Sequence, residues 1–468
     1  MTEKAMTKKV SRLRVRAPQS SRTASRRCLR RPAAFLGVAI LTAVALTGCG
    51  IPMSESPTVL VHAENDPFAD VPEALRGDRA RLIYATDRKG QPLRNGGGTR
   101  YGYRRSRSLA FGTCDVGIGE GLSWEETVKQ SRRTFRSKAL DLQIHPPIEI
   151  GSFPETPASP DATNVESVTA EFAGAEFEAA EKKFHELLAE QLAKTPRKEV
   201  FVYIHGFNNA FEEPAVVIAQ IWHFIGRQGV PIFYTWPAGS GLTLRGYNYD
   251  RESGEFTVFH LKQFLKSLAA CAEIEKVHLI AHSRGTDVLV TALRELVIEK
   301  RCGELTARDA LRIGNVILAA PDMDFEVSTQ RLSAEHLGQA FERFTIYVSE
   351  NDKAIGISGW LFASIKRIGQ LRFAELSIRD REAIGMARKL SLIDVRANTD
   401  WVGHNYFYSS PAVCSDLILI LRDNLDPGKA NGRPLVDRGQ NCWELLEGYP
   451  RFDPSDESQP GDAGTVEP

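Results

Sequence analysis

Val277-His278-Leu279-Ile280-Ala281-His282-Ser283-Arg284-Gly285 is a short apolar run that closes in a tight turn and feeds straight into a helical pattern. The run is too short for a helix, and its branched residues suit a strand buried on both faces. Beyond the turn, Leu289, Ala292, Leu293, Leu296 and Val297 recur at helical spacing. Strand, sharp bend and helix form the setting of a nucleophile elbow. In such an elbow a small-x-Ser-x-Gly turn lifts the hydroxyl above the sheet and aims the next backbone N–H at a developing oxyanion. Ser283 is therefore the candidate nucleophile. Ala281 stands where glycine is usual, which requires the helix to pack slightly further from that position. A buried strand followed by a serine-capped helix explains the same residues, so the flanking chain must supply the context.

Moving outward, strands and helices alternate regularly. Val200 to Ile204, Ile232 to Trp236, Asn315 to Ala319, Phe344 to Val348 and Leu392 to Val395 read as strands. Pro214 to Ile225 carries Val217, Ile218, Ile221, Trp222 and Ile225 on one helical face, with proline in the first turn. Phe256 to Ala270 aligns Leu261, Phe264, Leu265, Leu268 and Ala269, and Phe177 to Ala193 shows a similar stripe. Such alternation predicts an α/β class fold with a doubly wound, mostly parallel sheet covered by helices on both faces. Arg81 to Arg88, Ser108 to Gly112 and Ile148 to Ile150 read as earlier strands, and 154–167 as a surface loop.

In a wound sheet, chemistry gathers at the carboxyl ends of the strands. A serine nucleophile needs a base, an acid to orient that base, and N–H donors for the oxyanion. Ile204 runs into His205-Gly206-Phe207-Asn208-Asn209, a turn suited to the second oxyanion donor, so the backbone amides of Phe207 and Arg284 form the expected hole. By chain order the base is His336 or His404. His336 lies in a polar helical stretch, whereas His404 follows what reads as the last strand and precedes a helix containing Val413, Leu417 and Ile420, so His404 is the candidate. His282 is expected to shape the turn. For the acid, Asp352 in Ser349-Glu350-Asn351-Asp352 is preferred over Asp322, one strand earlier, for which a capping or loop-bracing role is the alternative, as it is for Asp324.

The first thirty-one residues hold eleven Lys and Arg against Glu3 alone, followed by an apolar segment from Ala33 to Leu46 and by Leu46-Thr47-Gly48-Cys49. That is the layout of an export signal, too short for a comfortable membrane span. Its last four residues resemble the lipobox of bacterial lipoproteins, which makes Cys49 the candidate acyl anchor to a membrane of the cell envelope. An uncleaved anchor helix or an ordinary signal is the alternative. Loss of residues 1–48 removes 11 basic residues and 1 acidic residue from a balance of 59 and 59, leaving 48 against 58 and a net charge of −10. A body of that sign argues against nucleic acid as a partner. Cys271 with Cys302 and Cys414 with Cys442 are conceivable disulfides, Cys114 remains over, and none of the cysteines has metal-ligand spacing. No cofactor is called for. Residues 50–77 read as a tether, 78–448 as the domain and 449–468 as a disordered acidic tail.

The ordered set Ile204-His205-Gly206-Phe207-Asn208-Asn209, Tyr234-Thr235-Trp236-Pro237, Ala281-His282-Ser283-Arg284-Gly285, Ala319-Ala320-Pro321-Asp322, Ser349-Glu350-Asn351-Asp352 and Gly403-His404 resembles a family of poorly characterised bacterial α/β-hydrolases, a domain of unknown function often labelled esterase/lipase superfamily. Tyr84-Ala85-Thr86-Asp87-Arg88 fits the opening strand of that family, and the likeness spans about Leu82 to Leu421. It implies an α/β-hydrolase fold and a serine-hydrolase triad, without implying a substrate. The leading expectation is a carboxylic-ester hydrolase acting on a small-molecule or lipid ester. An amidase or peptidase on envelope substrates, or a binding lipoprotein that keeps the fold without turnover, are the alternatives. Apolar residues after Trp236, and Trp360, Leu361, Phe362 and Phe373 in the stretch 354–390, are candidates for an acyl pocket or lid, or for packing.

Overall fold

A computed structural model of the chain describes residues 50–61, 66–94, 96–156, 168–300, 306–335, 337–353, 367–387, 389–397 and 403–450. Its strands are β1 (Ile51–Pro52), β2 (Arg79–Pro92), β3 (Thr99–Ile118), β4 (Asp141–Ile144), β5 (Ile148–Ser152), β6 (Glu199–Ile204), β7 (Val230–Thr235), β8 (Lys276–His282), β9 (Ile313–Ala319), β10 (Phe341–Val348), β11 (Leu390–Val395), β12 (Val436–Asp437) and β13 (Cys442–Leu445). They join in one sheet in the order β1-β4-β3-β2-β7-β6-β8-β9-β10-β11-β13-β12, with β5 on β3. From β2 to β13 every neighbouring pair is parallel, and antiparallel pairing is confined to the β1–β5 end and to β12.

The alternation of side chains along each strand builds a core on both faces. Val200, Val202 and Ile204 of β6 enter one cluster, together with Phe184, Leu261, Phe264, Leu289 and Leu293 of the helices Val168–Leu192, Leu244–Ala270 and Gly285–Lys300. Phe201 and Tyr203 enter the other, with Ile218, Trp222, Val413 and Leu417 of the helices Glu213–Phe224 and Pro411–Leu421. Each such aliphatic or aromatic side chain contributes about 1.5–3 kcal/mol when fully buried. The doubly wound, mostly parallel α/β architecture read from the sequence is present.

Several boundaries differ from the expectation. The helix placed at Phe256 to Ala270 begins at Leu244, where the Thr243 side chain caps the Gly246 N–H at 3.0 Å. Its first turns carry Arg245, Asn248, Asp250, Arg251 and Glu252, and that polarity hid the apolar stripe. The strand after which His404 lies is not the last, because β12 and β13 follow it and β13 extends the parallel run. Residues 50–61 and 66–77, read as a tether, belong to the folded body. β1 pairs with β4, and Met53, Leu60, Phe68 and Val71 are buried. Of the stretch 354–390, residues 354–366 lie outside the described residues, whereas Ile368 and Leu371 are buried and Phe373 packs against the first cluster as core material.

The disulfide expectation is also corrected. Cys114, Cys271, Cys414 and Cys442 are all buried free thiols. Cys442 sits in the first cluster, while the Pro411–Leu421 helix that carries Cys414 packs on the opposite face, so the sheet separates the two sulfurs. Cys302, His336, Cys49 and the whole signal region lie outside the described residues.

A buried ion pair holds the C-terminal segment. Arg433 donates from Nε and Nη2 to the two Asp416 oxygens at 2.8 and 2.7 Å, and the Tyr347 and Tyr449 hydroxyls complete the carboxylate at 2.6 Å each. Both charged side chains are fully buried. Arg433→Met should therefore strand a desolvated carboxylate and cost about 3–5 kcal/mol. A urea denaturation midpoint equal to wild type would contradict this.

Candidate active site

β8 ends at His282, and Ser283 follows with φ 52°, a left-handed conformation that side chains other than glycine adopt rarely. The turn is held by Ser283 N–H donating to Ala319 O at 3.0 Å and by Asp322 N–H reaching Ser283 O at 3.3 Å. The Gly285–Lys300 helix then begins at once. Two glycines make this crossing possible. A Cβ on Gly285 would meet His205 O at 2.2 Å, and a Cβ on Gly206 would meet Ser283 Cβ at 2.7 Å. Glycine at both positions lets the ends of β6 and β8 close on one another, which places the His-Gly-Phe turn directly beside the serine.

That turn is braced from three sides. His205 is buried, stacks on Trp236 with ring centroids 5.1 Å apart, and accepts at Nε2 from Trp236 N–H at 3.1 Å. Its Nδ1–H is thereby assigned as a donor, to Gly206 O at 2.8 Å. Burial, and secondarily the nearby Arg88 cation, push its pKa well below the ordinary histidine value, so it stays neutral. Arg88 is itself enclosed. It donates to Thr235 Oγ1, Gly102 O, Ala238 O and Asn209 O at 2.8–3.2 Å and approaches His205 Nε2 at 3.3 Å. Burial lowers its pKa to about 10, still a cation at neutral pH. The Asn209 side chain accepts from Gly206 N–H at 3.2 Å and donates to Glu213.

With its carbonyl tied to His205, the peptide joining Gly206 to Phe207 turns its N–H the other way. Neither the Phe207 N–H nor the Arg284 N–H has an acceptor among the described residues. The Arg284 side chain pairs with Asp287 at 2.9 Å, and Asp287 pairs in turn with Arg331 at 2.8 Å.

His404 lies after β11, next to Gly403 at φ 70°. Its Nδ1 is 2.7 Å from Oδ2 of Asp352, which follows β10 and is fully buried. The neighbouring β8 residue fixes this loop, because His282 Nε2 donates to His404 O at 3.0 Å and the two imidazoles lie 4.6 Å apart. Burial, and then the His404 ring, hold the His282 pKa well below the usual value, which leaves it a neutral brace. Ser283 is 6% exposed and the His404 side chain 17%, so both reach solvent at the rim where the strands end. Asp322, the alternative acid, faces Arg367 at 3.4 Å. Arg367 is positioned by a bridge to Asp324, and Asp324 caps the Phe325–Thr329 helix.

Sequence reading thus placed Ser283, Phe207, Arg284, Asp352 and His404, and the fold gathers them at the carboxyl ends of β8, β6, β10 and β11. It overlooked Arg88, Asp250 and Arg367, which support the rim. For Arg88 a signal existed, since an Asp-Arg pair closing an apolar strand is costly to bury unless it is used. Trp236 itself is core, and of the apolar residues after it, Leu242 and Leu244 stand 53% and 62% exposed beside the rim. A cavity of about 300 Å³ lined by Arg79, Trp222 and Val230 opens at the other rim, where the strands begin.

Compared with known families, residues 180–422 match the profile described as alpha/beta hydrolase of unknown function (DUF900). The match covers just over half of the chain and includes Phe207, Ser283, Arg284, Asp352 and His404, whereas Arg88 and the likeness read at Tyr84 to Arg88 lie before it. Among curated proteins no match is found.

Proposed function

The chain belongs to this alpha/beta hydrolase family, and from that premise we propose that it is a serine hydrolase cleaving carboxylic esters through an acyl-enzyme. The observation that carries the reading is the left-handed Ser283 at the end of β8, lodged against Gly206 and sharing its rim with the His404–Asp352 pair. Ser283 Oγ attacks the ester carbonyl. His404 Nε2 takes the hydroxyl proton and returns it to the leaving alcohol, and water repeats the sequence to release the acid. Asp352 holds Nδ1–H and stabilises the imidazolium that forms. The Phe207 and Arg284 amides receive the tetrahedral oxyanion, a role open to them because their N–H groups have no acceptor among the described residues.

The substrate is placed among small-molecule or lipid esters on the chemistry alone, with Leu242 and Leu244 at the rim available to an apolar acyl group. The basic leader and Leu46-Thr47-Gly48-Cys49 support export and acylation of Cys49 in the cell envelope. Treating the full chain with a fluorophosphonate tests the assignment. Mass spectrometry should locate one adduct on the peptide containing Ser283, and nitrophenyl esters of increasing length should be turned over. Folded protein that takes up no probe at Ser283 would establish a binding protein on a hydrolase frame instead.

A further inference from the structure

We propose that Asp250 is a positioning residue that fixes the oxyanion-binding turn from outside it, an inference that rests on the hydrolase reading. Asp250 lies in the second turn of the Leu244–Ala270 helix and is fully buried. Its Oδ2 accepts from Asn208 N–H at 2.9 Å and from Gly239 N–H at 3.1 Å. Its Oδ1 accepts from the Ser240 hydroxyl at 2.8 Å and from Ser240 N–H at 3.5 Å. One carboxylate therefore gathers four donors from two loops, those following β6 and β7. A buried carboxylate is retained at such a place only when its lone pairs are fully used.

The location of the first donor gives the arrangement its meaning. Asn208 has φ 55° and follows Phe207, so its N–H belongs to the peptide immediately after the one that carries the Phe207 N–H. The peptide before it is held by Asn209 Oδ1 through Gly206 N–H, and the central carbonyl is held by His205. Rotating the Phe207 N–H out of place requires the flanking peptides to swing, and Asp250 prevents the second of these from doing so. Preorganised donors of this kind act on the transition state and not on ground-state binding.

The test compares Asp250→Ala and Asp250→Asn with wild type in the full chain, using a nitrophenyl ester and a trifluoromethyl ketone that mimics the tetrahedral state. Asp250→Ala should lower kcat by about 10- to 100-fold, less than the 10²–10³ lost with a whole oxyanion donor. KM should stay within about twofold and ketone affinity should fall in parallel with kcat. Asp250→Asn can turn its carbonyl oxygen to Asn208 and Gly239 and its amide to the Ser240 hydroxyl, and should recover most of kcat. If the alanine variant does not fold, Asp250→Ser, too short to reach Asn208 N–H, carries the same expectation. An unchanged kcat, or a raised KM with kcat intact, overturns the role of Asp250. A wild-type protein that neither reacts with fluorophosphonate nor hydrolyses esters overturns the hydrolase reading itself.

Discussion

Ser283→Ala should lower ester turnover by about 10⁶-fold, the loss typical of removing the nucleophile from a cooperating triad. The loss belongs to the unit and not to the hydroxyl alone. Once Ser283 is gone, the proton that His404 would accept is absent, so adding His404→Ala should cost little more. Residual activity would come from the amides of Phe207 and Arg284, which do not depend on the side chain of residue 283. Turnover of a nitrophenyl ester by the single and double variants, with far-ultraviolet dichroism to confirm folding, decides the matter. A single variant retaining a tenth of wild-type kcat would remove Ser283 from the chemistry.

Asp352→Asn should lower kcat by about 10⁴-fold, with KM much less affected. The asparagine fits the same buried space, but its amide can present a donor to Nδ1 and so favour the wrong imidazole tautomer. In the protein as it stands, the Asp352 oxygen lies 2.7 Å from His404 Nδ1 and imposes Nδ1–H. Asp322→Asn is the matched comparison. Its carboxylate faces Arg367, and its backbone N–H, which donates to Ser283 O, is left in place by the substitution. A larger kcat loss in Asp322→Asn than in Asp352→Asn would reassign the acid to the earlier strand.

The parallel run and the rim residues were legible in the sequence because both are set by short-range rules. Short, continuously apolar runs along β6 to β11 and the small residues around Ser283 each leave a local trace. What escaped notice depends on contacts between distant segments. Asp250 sits in a polar helical turn that resembles a solvated face, and only the approach of two loops makes it an interior group. β13 is four residues long and becomes a strand through its pairing with β11. The Cys414–Cys442 pairing failed for the same reason, since spacing along the chain says nothing about which face of the sheet a side chain occupies.

Residues 50–53 bear on where the enzyme can work. β1 is hydrogen-bonded to β4 from Ile51 onward, and Met53 N–H donates to Leu140 O at 2.9 Å. An acyl group on Cys49 would thus be separated from the rigid body by a single glycine, with no leash to pay out. Such an enzyme would ride flush on the bilayer that holds it, harvesting esters from that leaflet and from solutes passing within a molecular diameter of it. Grafting a long Gly/Ser spacer after Cys49 would then change which substrates it meets without altering its chemistry.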